Sequence, residues 1–246
     1  MVRSYDGAMP AALRLAANLW RVPTTPLDLV NSFLIQSDDG SLTLVDTGLK
    51  SAPPRILAAL AEIGCGPSDV TTIVLTHAHQ DHAGGAAALA EATGTGMTVH
   101  DDDIGFIETG QTPPRDESQL LGRLTRRVPS RFDAAPVARA MTDGELLDCG
   151  LRVHHTPGHT PGHCSLVHEP TRTLITGDAI WNMRSRRTWP VLAFCTSAAL
   201  TEQTAATLAD LDYDAVAFTH GPEIREQGRA AIRDFLAHPR RFAPGL

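Results

Sequence analysis

Four metal-ligand residues stand close together directly after a short apolar run, and they constrain this chain more than any other feature. The run at 72–76 (TIVLT) leads into His77, His79, Asp81 and His82, spaced as H-x-H-x-D-H. A strand would place alternate members on one side and a helix would scatter them, so no amphipathic face explains the pattern. A loop between strand and helix wraps all four around one point, and the glycine pair that follows permits close backbone approach. The segment therefore predicts a metal site.

Three further ligand-type residues each follow a β-like run. His159 lies in TPGHTPGH, Asp178 in TGDA and His220 in THGP. In a sandwich of sheets, the ends of several strands meet at one edge, so we expect all these side chains to converge there. Seven ligands are too many for one tetrahedral ion. They suit two ions that share a bridging carboxylate and a bridging hydroxide.

The order of strands and helices predicts an α+β fold. Apolar runs and turn residues predict strands at 29–36, 41–47, 72–76, 97–100, 136–140, 145–148, 151–155, 164–168, 173–176 and 215–219. Start and stop signals predict helices at 53–63, 83–93, 116–127, 197–211 and 223–237. Strands precede helices twice over, which favours two sheet-plus-helix halves packed sheet to sheet. The expected architecture is a four-layer αββα sandwich.

No linker interrupts the chain, so residues 1–246 are predicted to form a single domain. Within it, the regular pattern breaks down at 104–135, a stretch that carries several prolines and arginines. We interpret this stretch as a lid-like insertion over the metal edge.

Composition and charge narrow the class of partner. The formal net charge of −7 disfavours a nucleic-acid partner, which calls for a basic surface. No window reaches 18 apolar residues and the N-terminus lacks a signal-peptide pattern, so we expect no membrane partner and a cytoplasmic location. The 4 cysteines show no C-x-x-C spacing and are expected to be reduced thiols. The oligomeric state stays open.

The combined motifs resemble the signature of the metallo-β-lactamase superfamily over about residues 30–225, including V-D-T-G at 45–48. The resemblance implies the αββα metallo-β-lactamase fold and a metal-dependent hydrolase. It assigns the ligands to two ions: His77, His79 and His159 to the first, Asp81, His82 and His220 to the second, and Asp178 to both. It also implies that Asp46 orients a ligating histidine through a hydrogen bond.

The expected cofactors are two zinc ions, with iron or manganese as alternatives. A metal-bridging hydroxide would then attack the carbonyl of an ester-type bond in a small molecule, either a lactone, a thioester or an ester. Asp81, a ligand close to that hydroxide, is expected to orient the nucleophile and later deliver a proton.

Two other reactions of the superfamily stay open. A persulfide dioxygenase-like enzyme would use one iron held by two histidines and an aspartate, but the complete second ligand set favours two ions. Amide hydrolysis of the β-lactamase type is disfavoured by Asp178, which true β-lactamases usually lack. Among the ester-type activities, the short segment after His220 disfavours a glyoxalase II-like thioesterase. The lack of a matching active-site tyrosine weakens the lactonase assignment.

Two arginine-rich stretches, 115–131 and 184–187, are predicted to flank the site and to select an anionic or polar substrate. Arg126, Arg184 and Trp181 are the candidate substrate contacts. A solvated arginine face is the alternative interpretation. His163, four residues after His159, is interpreted as structural.

Overall fold

Two β-sheets face each other across an apolar layer, and helices cover the outer face of each. The computed structural model describes residues 10–125 and 130–240. Its strands are β1 (Leu13–Ala16), β2 (Leu19–Pro23), β3 (Asn31–Gln36), β4 (Leu42–Val45), β5 (Val70–Val74), β6 (Met97–His100), β7 (Val137–Met141), β8 (Leu151–His155), β9 (Cys164–His168), β10 (Thr173–Ile175), β11 (Trp181–Met183), β12 (Arg186–Thr188) and β13 (Ala215–Ala217). Its α-helices are α1 (Pro53–Glu62), α2 (Gln80–Ala83), α3 (Ala86–Thr93), α4 (Ile104–Thr109), α5 (Leu120–Thr125), α6 (Ala198–Ala205) and α7 (Gly228–Ala237).

The first sheet runs in the order β1 to β7, and the second in the order β13-β10-β9-β8. Strands β1 to β4 are antiparallel neighbours, whereas β4 to β7 are parallel. Parallel neighbours need a crossover, and α1 supplies it between β4 and β5, as α2 and α3 do between β5 and β6. Strands β11 and β12 form a separate hairpin.

Strand β3 shows why the apolar runs are almost continuous. Phe33 and Ile35 pack between the two sheets, whereas Leu34 packs against the helices on the outer face. All three side chains are fully buried, as expected for a strand covered on both faces. On the second sheet, Ile232 and Phe235 of α7 close the other outer layer. The predicted α+β fold with αββα layers is confirmed.

Several element predictions were wrong because tertiary pairing decides them. Strands β1 and β2 were not predicted, although β2 pairs along β3 and supplies the buried Leu19. The stretch 145–148 forms only an isolated antiparallel bridge, between Leu146 and Arg152 of β8, rather than a full strand. The hairpin of β11 and β12 was also missed.

Helix boundaries shifted as well. The predicted helix at 197–211 continues after α6 as a 3-10 helix, and the last helix begins only at Gly228. The helix predicted at 116–127 is the shorter α5, and residues 126 and 127 lie outside the described residues. Helix α4, within the predicted insertion, contributes the fully buried Ile107 to the core. Among the described residues, none of the helices has both the length and the apolar character needed to cross a membrane.

Gly84 is a position where close backbone approach is testable. An added Cβ there would lie 2.7 Å from the backbone nitrogen of Lys50, so Gly84→Ala should lower the free energy of unfolding by about 1–3 kcal/mol. Urea denaturation measures the change. Gly105→Ala in α4 is the control, because its added Cβ meets open space and should leave stability equal or slightly higher. If Gly84→Ala were as stable as Gly105→Ala, the close approach of Gly84 to the backbone of Lys50 would not be required.

Candidate metal centre

All seven predicted ligands meet at one edge of the sandwich, where strands of both sheets end. They form overlapping groups whose ligand atoms lie within 4.8 Å of one another: His77 with His79 and His159, His77 with His82 and Asp178, and Asp81 with His82 and His220. The loop after β5 and the short helix α2 supply four of these residues, and the loops after β8, β10 and β13 supply one each. The structure therefore brings the predicted set together.

Asp178 lies between the two histidine groups. Its Oδ1 is 3.3 Å from His82 Nε2 and 3.2 Å from His220 Nε2, and its Oδ2 is 3.2 Å from His159 Nε2. Ligands at about 2.0–2.1 Å around a tetrahedral ion stand about 3.3–3.4 Å apart, so these spacings match a metal site. One carboxylate oxygen thus faces each group.

The donor set fits divalent metal ions. His77 Nε2 is buried and has no hydrogen-bond partner among the described residues. Because buried polar atoms are nearly always satisfied, this orphaned nitrogen calls for a partner of another kind. Nitrogen and carboxylate donors at this density suit zinc or a related borderline ion.

The electrostatics differ among the candidate ligands. Burial alone would lower the pKa of His82 and of His159, but neighbouring groups that include Asp178 outweigh burial and raise both, so these two rings must release a proton when an ion binds. Burial, together with neighbouring imidazoles, lowers the pKa of His77 and of His79 well below its ordinary value, so both rings stay neutral. Burial alone would raise the pKa of Asp178, but the surrounding histidines outweigh burial and hold it well below its ordinary value. Neutral imidazoles and an ionised carboxylate are the forms that bind metal.

Asp46 holds the ring of His82 through a hydrogen bond. Its Oδ2 lies 2.8 Å from His82 Nδ1, which leaves Nε2 of that ring facing the site. The backbone N–H of Thr76 donates to Asp46 Oδ1 at 2.8 Å. The φ of Asp46 is +59°, a conformation that this dense set of contacts must maintain. The histidine that the sequence left unspecified is therefore His82.

His163 holds the backbone of Asp178, a role that sequence reasoning missed. The N–H of Asp178 donates to His163 Nε2 at 2.8 Å, and His163 Nδ1 donates to Thr156 O at 3.0 Å. Burial lowers the pKa of His163 to about 3, so its ring stays neutral and Nε2 remains an acceptor. The repeated TPGH phrase was the available signal, since it places a second histidine four residues after His159.

Cys195 is a second residue that sequence reasoning missed. Its Sγ lies 3.3 Å from His159 Nδ1, so it contacts the ring atom that faces away from the site. Cys195 lies 36 positions after His159, and no motif in the sequence around it indicated this contact.

Asp103 ties together the two loops that carry the first ligand group. It is fully buried and accepts hydrogen bonds from the N–H of Ala78 at 2.9 Å, from Thr160 Oγ1 at 2.7 Å and from the N–H of Gly162 at 2.7 Å. Ala78 stands between His77 and His79, and Thr160 follows His159. One carboxylate therefore fixes the distance between these loops.

Asp103→Asn should weaken metal binding at the group of His77, His79 and His159 by about 10- to 100-fold. The new amide NH₂ would face a backbone or hydroxyl donor, so at least one of the three bonds is lost. Zinc titration calorimetry measures the affinity. Glu108→Gln in α4 is the control, because Glu108 is exposed and belongs to none of the potential ligand groups, so zinc affinity should be unchanged. Wild-type affinity in Asp103→Asn would contradict this role.

A cavity of about 290 Å³ opens beside the metal centre and is lined by Asp81, His159 and Asp178 at one side and by Trp181 and Arg115 elsewhere. Trp181 also packs on His220, with ring centroids 4.3 Å apart, as suits a predicted substrate contact. Arg184 lies in the turn between β11 and β12 and is not among the described lining residues. Arg126 lies outside the described residues.

An αββα sandwich with paired histidine and aspartate groups at one edge defines a metal-dependent hydrolase. The sequence model of the metallo-beta-lactamase superfamily matches residues 25–220. Because this match spans most of the chain, the protein belongs to the metallo-beta-lactamase superfamily.

Relatives and solved structures agree with this assignment. The chain is 28% identical over 196 residues to the probable metallo-hydrolase YybB of Bacillus subtilis, covering 79% of this chain and 82% of that protein. It is 35% identical over 142 residues to a hydroxyacylglutathione hydrolase of Anaeromyxobacter dehalogenans, and this match covers 58% of this chain and 43% of that protein. The metallo-beta-lactamase family protein TTHA1429 of Thermus thermophilus superposes with a TM-score of 0.68 at 27% sequence identity. This match covers 92% of this chain and 80% of that structure. The Rm3 metallo-beta-lactamase superposes with a TM-score of 0.68 at 25% sequence identity, and the match covers 87% of this chain and 79% of that structure.

Proposed function

We propose that this protein hydrolyses an ester-type bond of a small molecule with two divalent metal ions, most simply zinc. The observation that carries the proposal is the position of Asp178, whose two carboxylate oxygens face different histidine groups. A single ion would leave one of these groups without a function. The complete second group also argues against an enzyme with one iron.

Each ligand group would hold one ion. His77, His79 and His159 would bind the first, Asp81, His82 and His220 the second, and Asp178 both. When bound, such ions acidify a shared water molecule toward neutral pH and polarise a carbonyl oxygen.

Asp81 is the proton carrier in this proposal. Its side chain is 30% exposed and lines the cavity, whereas Asp178 is almost completely buried. Asp81 Oδ2 lies 3.5 Å from His220 Nε2, so the same carboxylate reaches both the ligand group and the cavity. It would accept a proton from the attacking water and deliver it to the leaving oxygen or sulfur.

The wall of the cavity supports a substrate with an apolar part. Val30, Leu49, Trp181 and Val191 line it beside the metal centre. These side chains would pack against the acyl or leaving group and displace water from the reacting carbonyl. Two relatives named hydroxyacylglutathione hydrolase support transfer of an acyl group to water.

The deciding experiment combines metal analysis with a substrate panel. Protein loaded with zinc should contain two ions per chain and hydrolyse simple esters, thioesters or lactones, and a chelator should abolish this activity until zinc is restored. His159→Ala, which removes one of three nitrogen ligands of the first group, should lose that ion and the activity. One iron per chain after expression without added zinc, or turnover of β-lactams alone, would refute the proposal.

Asp178→Ala tests the bridging role. The variant should lose more than about 100-fold in hydrolysis, because even outer-shell partners of a metal contribute 10- to 100-fold. Its circular dichroism and cooperative unfolding should persist, since the strands around the site carry the fold. Asp133→Ala, at an exposed pair with Lys50, is the control and should hydrolyse normally. Normal turnover by Asp178→Ala with two ions bound would contradict the bridge.

A further inference from the structure

A single buried asparagine bonds to the backbone on both sides of His220. Asn31, the first residue of β3, is fully buried, and its side-chain amide donates to Phe218 O at 3.0 Å and to Gly221 O at 2.9 Å. Its backbone N–H donates to Thr219 O at 2.8 Å. One residue of the first sheet therefore bonds to three carbonyls around a predicted ligand that follows a strand of the second sheet.

The loop that precedes β3 sets the orientation of the His220 ring. Nδ1 of this ring bonds to Leu29 O, and because a carbonyl can only accept, Nδ1 carries the proton. The unprotonated nitrogen is then Nε2, which lies 3.2 Å from Asp178 Oδ1. The N–H of Gly221 donates to Asp28 O at 2.7 Å and ties the same loop to the residue after the histidine. The loop thus selects the tautomer that a metal ion needs on the side of the cavity.

A buried arginine fixes both this loop and the side chain of Asn31. Arg21 forms ion pairs with Asp28 at 2.7 Å and with Glu223 at 3.0 Å, and its Nη1 donates to Asn31 Oδ1 at 3.1 Å. Because the amide oxygen of Asn31 faces this cation, its NH₂ group faces the carbonyls. Leu27 and Asp28 adopt φ values of +59° and +55°, a conformation that such contacts must maintain.

The residue before His220 extends these contacts to the central carboxylate. Thr219 Oγ1 lies 2.9 Å from Asp178 Oδ1, the oxygen that faces His220. The backbone carbonyl of Thr219 is one of the three that Asn31 holds. Asn31 therefore fixes the segment that supplies both the histidine and a hydroxyl contact of Asp178.

We propose that Asn31 is a positioning residue for the second ion, because it holds His220 with Nε2 directed toward Asp81 and Asp178. This inference rests on the proposed function, since it requires the two ions. Asp103 holds the loops of the first ligand group, so a separate buried residue positions each group. Loss of Asn31 should then weaken the second ion selectively.

The test measures zinc affinity by calorimetry in two single-site backgrounds. His159→Ala removes a ligand of the first ion and leaves the second group complete, and His220→Ala does the reverse. Adding Asn31→Ala to His159→Ala should weaken the remaining ion by about 10- to 100-fold, the usual effect of losing a residue that orients a ligand. Adding it to His220→Ala should leave the affinity unchanged, because the histidine through which Asn31 acts is already absent.

The spectrum of bound cobalt gives a second readout that a general loss of stability would not change. In the His159→Ala background, Asn31→Ala should alter the visible absorption of one bound Co²⁺, because the ligand geometry around that ion changes. In the His220→Ala background, the spectrum should stay the same.

Two further variants separate positioning from general destabilisation. Asn18→Ala is the matched control, because Asn18 also donates to a backbone carbonyl, Gln36 O at 3.0 Å, but lies in the turn between β1 and β2. It should leave both zinc affinities unchanged. Asn31→Asp keeps the shape of the side chain and an oxygen facing Arg21 while it removes the NH₂ donors. It should weaken the second ion as well, and it replaces Asn31→Ala if that variant does not fold.

The outcomes distinguish this role from the proposed reaction. Equal weakening of the ion in both backgrounds, or no weakening in either, would overturn the role of Asn31 while the two-ion hydrolase stands. Selective weakening in a protein that hydrolyses none of the esters would support the role of Asn31 and refute the reaction. A wild-type protein that binds only one ion would overturn both.

Discussion

A buried carboxylate surrounded by imidazole nitrogens is the constraint on which this structure depends. Asp178 is almost fully buried, and an ionised group in that position is costly unless cations or hydrogen-bond donors surround it. Three histidines, one in the short helix α2 and two in loops, provide that environment within 3.3 Å. The loops reach Asp178 only because the two sheets end at the same edge. The geometry of the metal site therefore depends on how the two sheets pack against each other.

Buried hydrogen bonds and close backbone contacts in short loops keep the predicted ligands near Asp178. Asp46 keeps a left-handed backbone while it holds His82, and Asp103 joins the loop of His77 and His79 to that of His159. Gly84 brings α2 against the backbone near Lys50. The ligands are thus positioned by residues that are themselves buried and bonded, which limits rearrangement when an ion binds.

The sequence predicted what depends on local chemistry and missed what depends on distant pairing. The H-x-H-x-D-H spacing and the ligand-type residues after strands identified the seven predicted ligands that meet at the edge. His163 could not be distinguished from a core histidine, because its partner, the N–H of Asp178, is fifteen positions away. The same limit hid β2, which is defined by its pairing with β3.

The metal centre and the segment that borders the cavity at residues 112–115 are held in different ways. The ligands follow strands whose side chains pack in the core, so a change in their spacing would disturb both sheets. The segment 112–116 instead lies in a loop, and its bonds to the rest of the chain include those at Pro114 and Asp116. Such a segment accepts substitutions and insertions at low cost in stability. A chain of this fold therefore keeps its reaction class through its core and sets its substrate through the residues that border the cavity.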